Sequence, residues 1–208
     1  MELAERRDPL LELGCGTGRV LSHLVERGHD VSGLDLDPQL IARLEGASCG
    51  DARDFDLDRR FDLILAPMQL IQVLAGPAER GRCLRCVAAH LAVPGGLAAF
   101  AIVESVPEPD HAATPLPDTR EVDGWVYSSL PVDSEVADGR IRVRRLRQTV
   151  SPDGELSEEL HDVELRALDA ATLEAEAADA GLRPLERRRI ADTDAHLGST
   201  VVLLEREA

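Results

Sequence analysis

The sequence contains no lysine: all 23 of its basic residues are arginine, against 39 aspartates and glutamates. Without a lysine amine, the protein cannot form a Schiff base with a substrate carbonyl or with pyridoxal phosphate, and it lacks the lysine of a phosphate-binding P-loop. The resulting net charge of −16 repels nucleic-acid backbones and anionic lipids. We therefore expect neither nucleic acid nor a membrane surface among its partners.

Long apolar runs and paired cysteines are also scarce. The most apolar segment, residues 91–103, is interrupted by Pro-Gly-Gly at 94–96 and is shorter than the roughly 20 residues that a membrane span needs. The N-terminus has no apolar stretch of the signal-peptide type, so a cytoplasmic protein is expected. The Cys83-x-x-Cys86 pair has no second pair near it in sequence to complete a structural zinc site, and no metal site is predicted.

Short apolar runs alternate with amphipathic stretches over the first half of the chain, a pattern typical of βαβ units with a parallel sheet. After residue 104 the pattern changes, because prolines at 107, 109, 115 and 117 favour a loop or lid over 104–123. Antiparallel strands, a helix beginning at Asp169 and two further strands are predicted to follow. The predicted strands are 10–13, 31–35, 47–50, 61–65, 97–103, 125–130, 141–150, 156–168, 182–190 and 200–205, and the predicted helices are 19–27, 38–45, 78–91 and 169–180.

These elements predict an α/β fold with an insertion. Residues 1–103 and 169–208 would form the core domain, and residues 104–168 would form a loop and a small antiparallel sheet inserted after the fifth strand. A turn at 151–154, Ser-Pro-Asp-Gly, is predicted to join the last two inserted strands as a hairpin.

The segment that carries the chemistry is the turn Gly14-x-Gly16-x-Gly18 between the first strand and the first helix. Glycines allow the backbone to turn sharply and to approach a ligand closely. Their spacing differs from the G-x-G-x-x-G of dinucleotide-binding folds, which disfavours a nicotinamide oxidoreductase. Asp35 and Asp51 end the second and third strands, where they could accept hydrogen bonds from ribose hydroxyls and an adenine amino group. Strand ends share one edge of such a sheet, so the site is expected there.

Five motifs in this order resemble the class I S-adenosylmethionine-dependent methyltransferase family. They are Leu11-Glu-Leu-Gly-Cys-Gly-Thr-Gly18, Gly33-Leu-Asp-Leu-Asp-Pro38, Gly50-Asp-Ala-Arg-Asp-Phe55, Phe61-Asp-Leu-Ile-Leu-Ala66 and His90-Leu-Ala-Val-Pro-Gly-Gly96. The resemblance is strong over the first half of the chain and looser near its end. It implies a Rossmann-like, doubly wound sheet of seven strands with the last one antiparallel. It also implies an enzyme that moves a methyl group from S-adenosylmethionine to the nitrogen or oxygen of a small molecule.

The resemblance further implies which residues hold the cofactor. The methionine end would be held by Glu12 and by the backbone of Gly14, Cys15, Gly16 and Gly18, with the carbonyl of Ala66 near the ammonium. The ribose would be bound by Asp35. The adenine would contact Leu36, Asp51 and the N–H of Ala52. A methyl group on a sulfonium is already activated, so the enzyme mainly has to fix donor and acceptor in line. No catalytic residue is assigned on this basis, since a base is needed only if the nucleophile arrives protonated.

Candidates for the acceptor site follow the fourth strand and lie in the insertion. Met68, Gln69 and Gln72 fit either an acceptor site or the first turn of an ordinary short helix. Trp125 and Tyr127, the single tryptophan and the single tyrosine, share one face of a strand. They could form a wall over a substrate or a small core for the inserted sheet.

Other polar residues of the insertion also leave two interpretations open. The arginines at 140, 142, 144, 145 and 147 could attract an acidic substrate, but cross-strand pairing with Glu155, Glu158, Glu159 or Glu164 is favoured. His111 and His161 are lone histidines that could act as a base.

Two departures from the family bear on the function. The fourth strand ends in Ala66-Pro-Met-Gln69, not in the Asn/Asp-Pro-Pro-aromatic box of nucleobase amino-methyltransferases, which argues against DNA or RNA as acceptor. The first strand begins at Leu10, whereas the family usually has a helical segment before this strand that closes over the cofactor. Three explanations are open: the site is more open here, a partner subunit of a homodimer covers it, or the sequence is truncated at its start. A non-catalytic cofactor sensor or interaction protein is therefore the alternative to an enzyme.

Overall fold

The computed structural model describes residues 3–5, 7–42, 44–104, 117–191 and 198–206. The chain divides into two compact units: unit 1 comprises 1–104, 168–190 and 199–208, and unit 2 comprises 105–167 and 191–198. Within the described ranges, no helix is long and apolar enough to cross a membrane. The elements in chain order are β1 (Leu10–Leu13), α1 (Arg19–Val25), β2 (Val31–Asp35), α2 (Pro38–Ile41), β3 (Ala47–Cys49), β4 (Leu63–Ala66), α3 (Leu70–Val73), α4 (Pro77–His90), β5 (Leu97–Ile102), β6 (Asp118–Val122), β7 (Trp125–Ala137), β8 (Arg140–Val150), β9 (Leu156–Arg166), α5 (Ala170–Ala178), β10 (Leu182–Pro184), β11 (Arg188–Ile190) and β12 (Ser199–Arg206).

The strands of unit 1 form one sheet in the order β10-β12-β5-β4-β1-β2-β3, and β11 also pairs with β12. β1 pairs in parallel with β2 and β4, whereas β12 runs antiparallel to β5. This confirms the doubly wound sheet with an antiparallel last strand. In the described part of the chain the sheet has eight strands, because the predicted strand over 182–190 is divided into β10 and β11, which pair with β12 separately.

Both faces of this sheet are covered by apolar side chains, as expected where helices pack on each side of parallel strands. Side chains alternate along β1, so Leu11 and Leu13 join one core cluster and Leu10 joins the other. The second cluster also contains Leu21 of α1. The same alternation places Glu12 on the face of β1 that carries Leu10.

Several element boundaries differ from the sequence prediction. α2 ends at Ile41, and β4 begins at Leu63 after an isolated bridge between Phe61 and Leu91. The prediction of loop or lid was wrong for residues 118–122, which form β6 and pair with β7. Residues 105–116 of the predicted lid, including His111, lie outside the described residues.

The strand β6 has a local cause in the turn that follows it. Asp123 and Gly124 both have positive φ, 51° and 79°, which matches the twist of a two-residue hairpin turn. The prolines earlier in the segment obscured this signal in the sequence.

Unit 2 is an antiparallel sheet in the order β6-β7-β8-β9. β7 and β8 are joined through Asp138 and Gly139, again with positive φ of 51° and 69°. The predicted hairpin at 151–154 is confirmed: the N–H of Gly154 donates to the carbonyl of Ser151 at 2.9 Å, and β8 pairs with β9 throughout.

Arginines on β8 pair across the hairpin with Glu164, as the sequence favoured, and also with Asp162, which was not among the predicted partners. Arg144 reaches Asp162 at 2.8 Å, and Arg140 and Arg142 both reach Glu164, at 3.2 and 3.8 Å. The hydrogen bond from Arg144 lowers the pKa of the Asp162 carboxyl below its ordinary value. These arginines therefore have carboxylate partners within the sheet itself.

Candidate functional site

The loop between β1 and α1 owes its shape to three glycines. Gly14, Gly16 and Gly18 have φ of 67°, 52° and 81°, a region that side-chain-bearing residues rarely adopt. A Cβ added to Gly18 would collide with Leu44, whereas one added to Gly16 would meet nothing within 4 Å. The backbone at Gly16 therefore borders open space that a ligand can enter.

The carboxylate of Asp35, at the end of β2, lies against this loop. Its Oδ2 accepts a hydrogen bond from the N–H of Gly16 at 2.7 Å, and its Oδ1 accepts one from the N–H of Asp37 at 3.0 Å. Each carboxylate oxygen has capacity for more than one hydrogen bond. The structure thus brings together the glycine loop and the acid of β2, with acceptor sites left for two hydroxyl groups.

Leu36 and Cys49 lie side by side at the ends of β2 and β3. The side chain of Leu36 is 64% exposed, and the Sγ of Cys49 donates to the Leu36 carbonyl at 3.7 Å. An exposed apolar side chain at this edge is suited to packing against a flat base.

Asp51 is held in place by Arg53, a contact that sequence analysis missed. The backbone N–H of Arg53 donates to Oδ1 at 2.8 Å and its Nη2 donates to Oδ2 at 2.6 Å. These hydrogen bonds lower the pKa of Asp51 to about 2. Arg53 also pairs with Glu79 of α4 at 3.0 Å. Asp51 is consequently a fixed, ionised acceptor directly before Ala52.

Glu12 lies on β1 with its side chain buried, at 2% exposure. Burial raises its pKa to about 7, while a backbone hydrogen bond from Leu21 and the positive charge of Arg19 act in the opposite direction. Its Oε2 has no hydrogen-bond partner among the described residues. Buried polar atoms are nearly always paired, so this oxygen is suited to bind a polar group of a ligand.

Cys15, the cysteine of the glycine loop, is buried. Burial, together with the charges of Glu12 and Asp35, raises the pKa of the Cys15 thiol to about 12. A thiol with so high a pKa is not a nucleophile near neutral pH.

The loop after β4 has an unusual backbone. Met68 and Gln69 have positive φ, 55° and 61°, and such strained non-glycine residues cluster at functional sites. The Met68 side chain is 62% exposed, and its Sδ accepts a hydrogen bond from Nη2 of Arg19 at 3.0 Å. Ala66, the last residue of β4, is buried.

Gln72 has a different environment from its neighbours. It is fully buried, its Nε2 donates to the carbonyl of Val103 at 3.0 Å, and its Oε1 accepts from the N–H of Val103 at 2.8 Å. Its side-chain amide ties α3 to the residue after β5 and is not presented at the surface.

A cavity of about 340 Å³ lies beside α1 in unit 1. Its walls are mostly apolar, with two basic side chains among them. The lining residues are Leu3, Ala4, Arg19, Val20, His23, Leu24, Leu63 and Leu65.

The two aromatic residues singled out in the insertion lie on β7 in unit 2. Trp125 and Tyr127 are 37% and 43% exposed, so both rings present surface to solvent. His161 on β9 lies opposite Arg145 of β8.

Cys83 and Cys86 lie on α4. Burial raises the pKa of the Cys83 thiol to about 12, and the Sγ of Cys86 donates to the carbonyl of Arg53 at 3.5 Å. Over the residues that the structure describes, no three His, Cys, Asp or Glu side chains gather as metal ligands would. Cys83 belongs to the larger core cluster of unit 1, and Cys86 packs against that cluster.

Comparison with known proteins places these observations in a family. Residues 10–96 match a family model described as a methyltransferase domain. The chain is 30% identical over 202 aligned residues to dTDP-3-amino-3,4,6-trideoxy-alpha-D-glucopyranose N,N-dimethyltransferase of Streptomyces venezuelae, covering 88% of this chain and 80% of that protein.

Solved structures give the same result. The structure of a sugar N-methyltransferase from Streptoalloteichus is similar with a TM-score of 0.72 and 25% identity, covering 100% of this chain and 83% of that one. An amino pentose methyltransferase from Micromonospora echinaspora, solved with S-adenosylmethionine bound, has a TM-score of 0.69 and 25% identity, covering 99% of this chain and 86% of that one.

Proposed function

Because this chain belongs to the class I S-adenosylmethionine-dependent methyltransferase family, we propose that it transfers a methyl group from S-adenosylmethionine to the amino nitrogen of a sugar. The protein is accordingly an enzyme and not the non-catalytic sensor that the sequence left as an alternative. One observation carries the choice of acceptor: the similarity to a sugar N,N-dimethyltransferase covers 88% of the chain, so it extends into unit 2. The match to the methyltransferase domain model ends at residue 96. By itself it does not distinguish one methyl acceptor from another.

The residues around the glycine loop fit the cofactor. The backbone at Gly16 borders open space, and Asp35 has acceptor capacity for two hydroxyl groups. The Oε2 of Glu12, which has no hydrogen-bond partner in the described part of the chain, is suited to the ammonium of an amino acid. We assign Glu12, the backbone of Gly14, Cys15, Gly16 and Gly18 and the carbonyl of Ala66 to the methionine end, Asp35 to the ribose, and Leu36, Asp51 and Ala52 to the adenine.

When bound, S-adenosylmethionine supplies a methyl group on a positively charged sulfur, which departs as a neutral thioether. The protein's own contribution is to position: the glycine loop and Asp35 fix the adenosyl group so that the acceptor nitrogen can approach in line. Such positioning is worth roughly 7–11 kcal/mol of a reaction barrier. An amine attacks only in its neutral form, so the acceptor nitrogen must lose a proton before methyl transfer.

We keep the candidates for acceptor binding in unit 1 and those in unit 2 as separate assignments. In unit 1 we retain Met68 and Gln69, because their strained backbone and the exposure of Met68 are features of ligand sites. In unit 2 we retain Trp125 and Tyr127, whose exposed rings could contact a largely apolar sugar face. We assign Gln72 a structural role, because its side-chain amide holds Val103 at the end of β5.

The proposed function is tested by mass spectrometry with purified protein, S-adenosylmethionine and the nucleotide-linked amino sugar of the Streptomyces venezuelae relative. We expect the addition of one and then two methyl groups to the amine, with matching formation of S-adenosylhomocysteine. The same nucleotide sugar with a hydroxyl group in place of the amine is the control and should remain unmodified. Methylation of the hydroxyl sugar, or of a phenol but no amine, would refute a sugar amine as the acceptor.

A further inference from the structure

Four side chains along one face of α4 contact the segment 51–57, which follows β3. They are spaced by three, four and four residues, and such a spacing places side chains on the same face of a helix. The contacting residues are Glu79, Arg82, Cys86 and His90. The segment begins with Asp51 and Ala52, so one face of α4 holds the part of the chain that we assign to the adenine.

Toward the end of α4, these contacts fix the backbone of the segment. His90 is buried, its Nε2 accepts a hydrogen bond from the N–H of Leu57 at 2.9 Å, and its Nδ1 donates to the carbonyl of Cys86 at 2.7 Å. The ring of Phe55 lies against the imidazole, with 4.6 Å between the ring centroids. The Sγ of Cys86 donates to the carbonyl of Arg53 at 3.5 Å. The backbone is therefore tied to α4 at both Arg53 and Leu57.

Near the start of α4, Glu79 is linked to Asp51 through Arg53. The Oε2 of Glu79 accepts a hydrogen bond from the N–H of Ala75 at 3.0 Å, and its Oε1 lies 3.0 Å from Nη1 of Arg53. The hydrogen bonds from Ala75 and Arg53 lower the pKa of the Glu79 carboxyl below its ordinary value. Arg53 then donates from its backbone N–H, Nε and Nη2 to the two oxygens of Asp51, at distances between 2.6 and 3.0 Å. A planar guanidinium held between two carboxylates is fixed in its orientation.

We propose that Glu79 acts through Arg53 to position the Asp51 carboxylate, and that these two positioning residues set the preference of the site for a base with an amino group. The inference rests on the proposed assignment of Asp51 to the adenine. The three N–H groups of Arg53 occupy three of the roughly four acceptor positions of a carboxylate, which leaves one for the base. An amino group can donate to that position, whereas an oxo group has no hydrogen atom to donate to it.

The test compares two ligands by calorimetry with the full chain. S-adenosylhomocysteine carries the amino group on its base, and its deaminated analogue, S-inosylhomocysteine, carries an oxo group there. We expect the parent protein to bind the amino ligand more tightly, and Arg53→Gln to reduce the ratio of the two affinities about 10-fold. Glu79→Gln should reduce this ratio about threefold, a smaller effect because the pair of Arg53 and Glu79 is partly exposed. Both ligands bind the same folded variant, so the ratio does not depend on how much of the protein folds.

A double variant and two single variants serve as controls. Arg53→Gln combined with Glu79→Gln should have the same ratio as Arg53→Gln alone, because Glu79 acts through Arg53. Arg85→Gln is the matched control, since Arg85 is exposed on the same helix, and it should keep the ratio of the parent. Asp51→Asn should abolish the preference, because an amide can also donate a hydrogen bond to the oxo group.

An unchanged ratio in Arg53→Gln overturns the proposal. An equal loss of affinity for both ligands also overturns it, since that result means that Arg53 only supports the fold of the segment. Effects of Arg53→Gln and Glu79→Gln that add in the double variant refute the action of Glu79 through Arg53. If Asp51→Asn keeps the preference of the parent, the adenine assignment fails as well. If Asp51→Asn loses the preference and Arg53→Gln keeps it, the adenine assignment stands and the present proposal alone fails.

Discussion

Gln72 and Val103 form a closed pair of hydrogen bonds in the interior of unit 1, one from the side-chain amide to the carbonyl and one from the backbone N–H to Oε1. Val103 directly follows β5, where the hydrogen bonds of the strand ladder end. Buried backbone groups require partners, and the glutamine amide supplies both of them. The sequence left Gln72 open between an acceptor site and an ordinary short helix, and these hydrogen bonds give it a part in the scaffold of unit 1.

We expect Gln72→Leu to lower the free energy of unfolding by about 2–5 kcal/mol, because two buried backbone groups lose their partners. Urea unfolding followed by circular dichroism measures the effect. Gln39→Leu, at an exposed position of α2, is the control and should change stability by less than about 0.5 kcal/mol. Equal stability of the two variants would contradict this role.

Asp35→Ala should weaken the binding of S-adenosylhomocysteine by roughly 10- to 100-fold, since the loss of charged hydrogen-bond acceptors is worth that much. Isothermal titration calorimetry gives the affinity directly. Asp37→Ala removes a nearby carboxylate that caps α2, and its affinity should stay close to that of the parent. An unaltered titration for Asp35→Ala would count against the ribose assignment.

Glu12 should make stability depend on pH. Its pKa is about 7 in the folded protein, against an ordinary value of 4.5, so the folded state favours the protonated form. Its contribution is present below pH 4.5 and is lost as pH rises through 7. We expect the unfolding free energy of the parent, minus that of Glu12→Gln, to fall by about 3 kcal/mol between pH 4.5 and pH 8. Urea titrations across this range measure the difference, and one that does not vary with pH would show that Glu12 is not the group responsible.

Arg80 of α4 and Glu176 of α5 form a buried, bidentate ion pair at 2.7 and 2.5 Å. Glu176→Leu alone should cost about 3–5 kcal/mol of stability, because it leaves a buried guanidinium without its partner. The double variant Arg80→Met with Glu176→Leu should recover most of the loss. Chemical denaturation of the two single variants and the double variant completes the cycle. Simple additivity of the single effects would show that the two residues are not coupled.

Much of the parallel sheet could be predicted from the sequence because local signals delimit its strands. β1 and β2 occupy the predicted residues, each an apolar run bounded by turn residues. The helix predicted over 38–45 ends instead at Ile41, and β6 was assigned to a loop. In both cases several short-range signals compete, and the packing that decides between them is not visible in the sequence.

In the candidate site, too, some contacts could be predicted from local sequence signals and others depend on packing. That Gly16 and Asp35 lie at one edge follows from strand direction alone, and their contact agrees with it. The contact of Arg53 with Glu79 depends on how α4 packs against the sheet. The contact of Arg19 with Met68 depends on the backbone conformation of the loop after β4. Contacts between distant segments of this kind have no periodic signal, and no spacing rule could have found them.

Of the four cysteines, Cys15 and Cys83 are buried, Cys86 is partly buried and Cys49 is exposed beside the carbonyl of Leu36. The protein therefore has a natural attachment point for a thiol-reactive fluorophore at the end of the site assigned to the adenine. Light emission from such a label would follow the arrival and departure of the nucleoside in real time, with every residue of the native chain left unchanged.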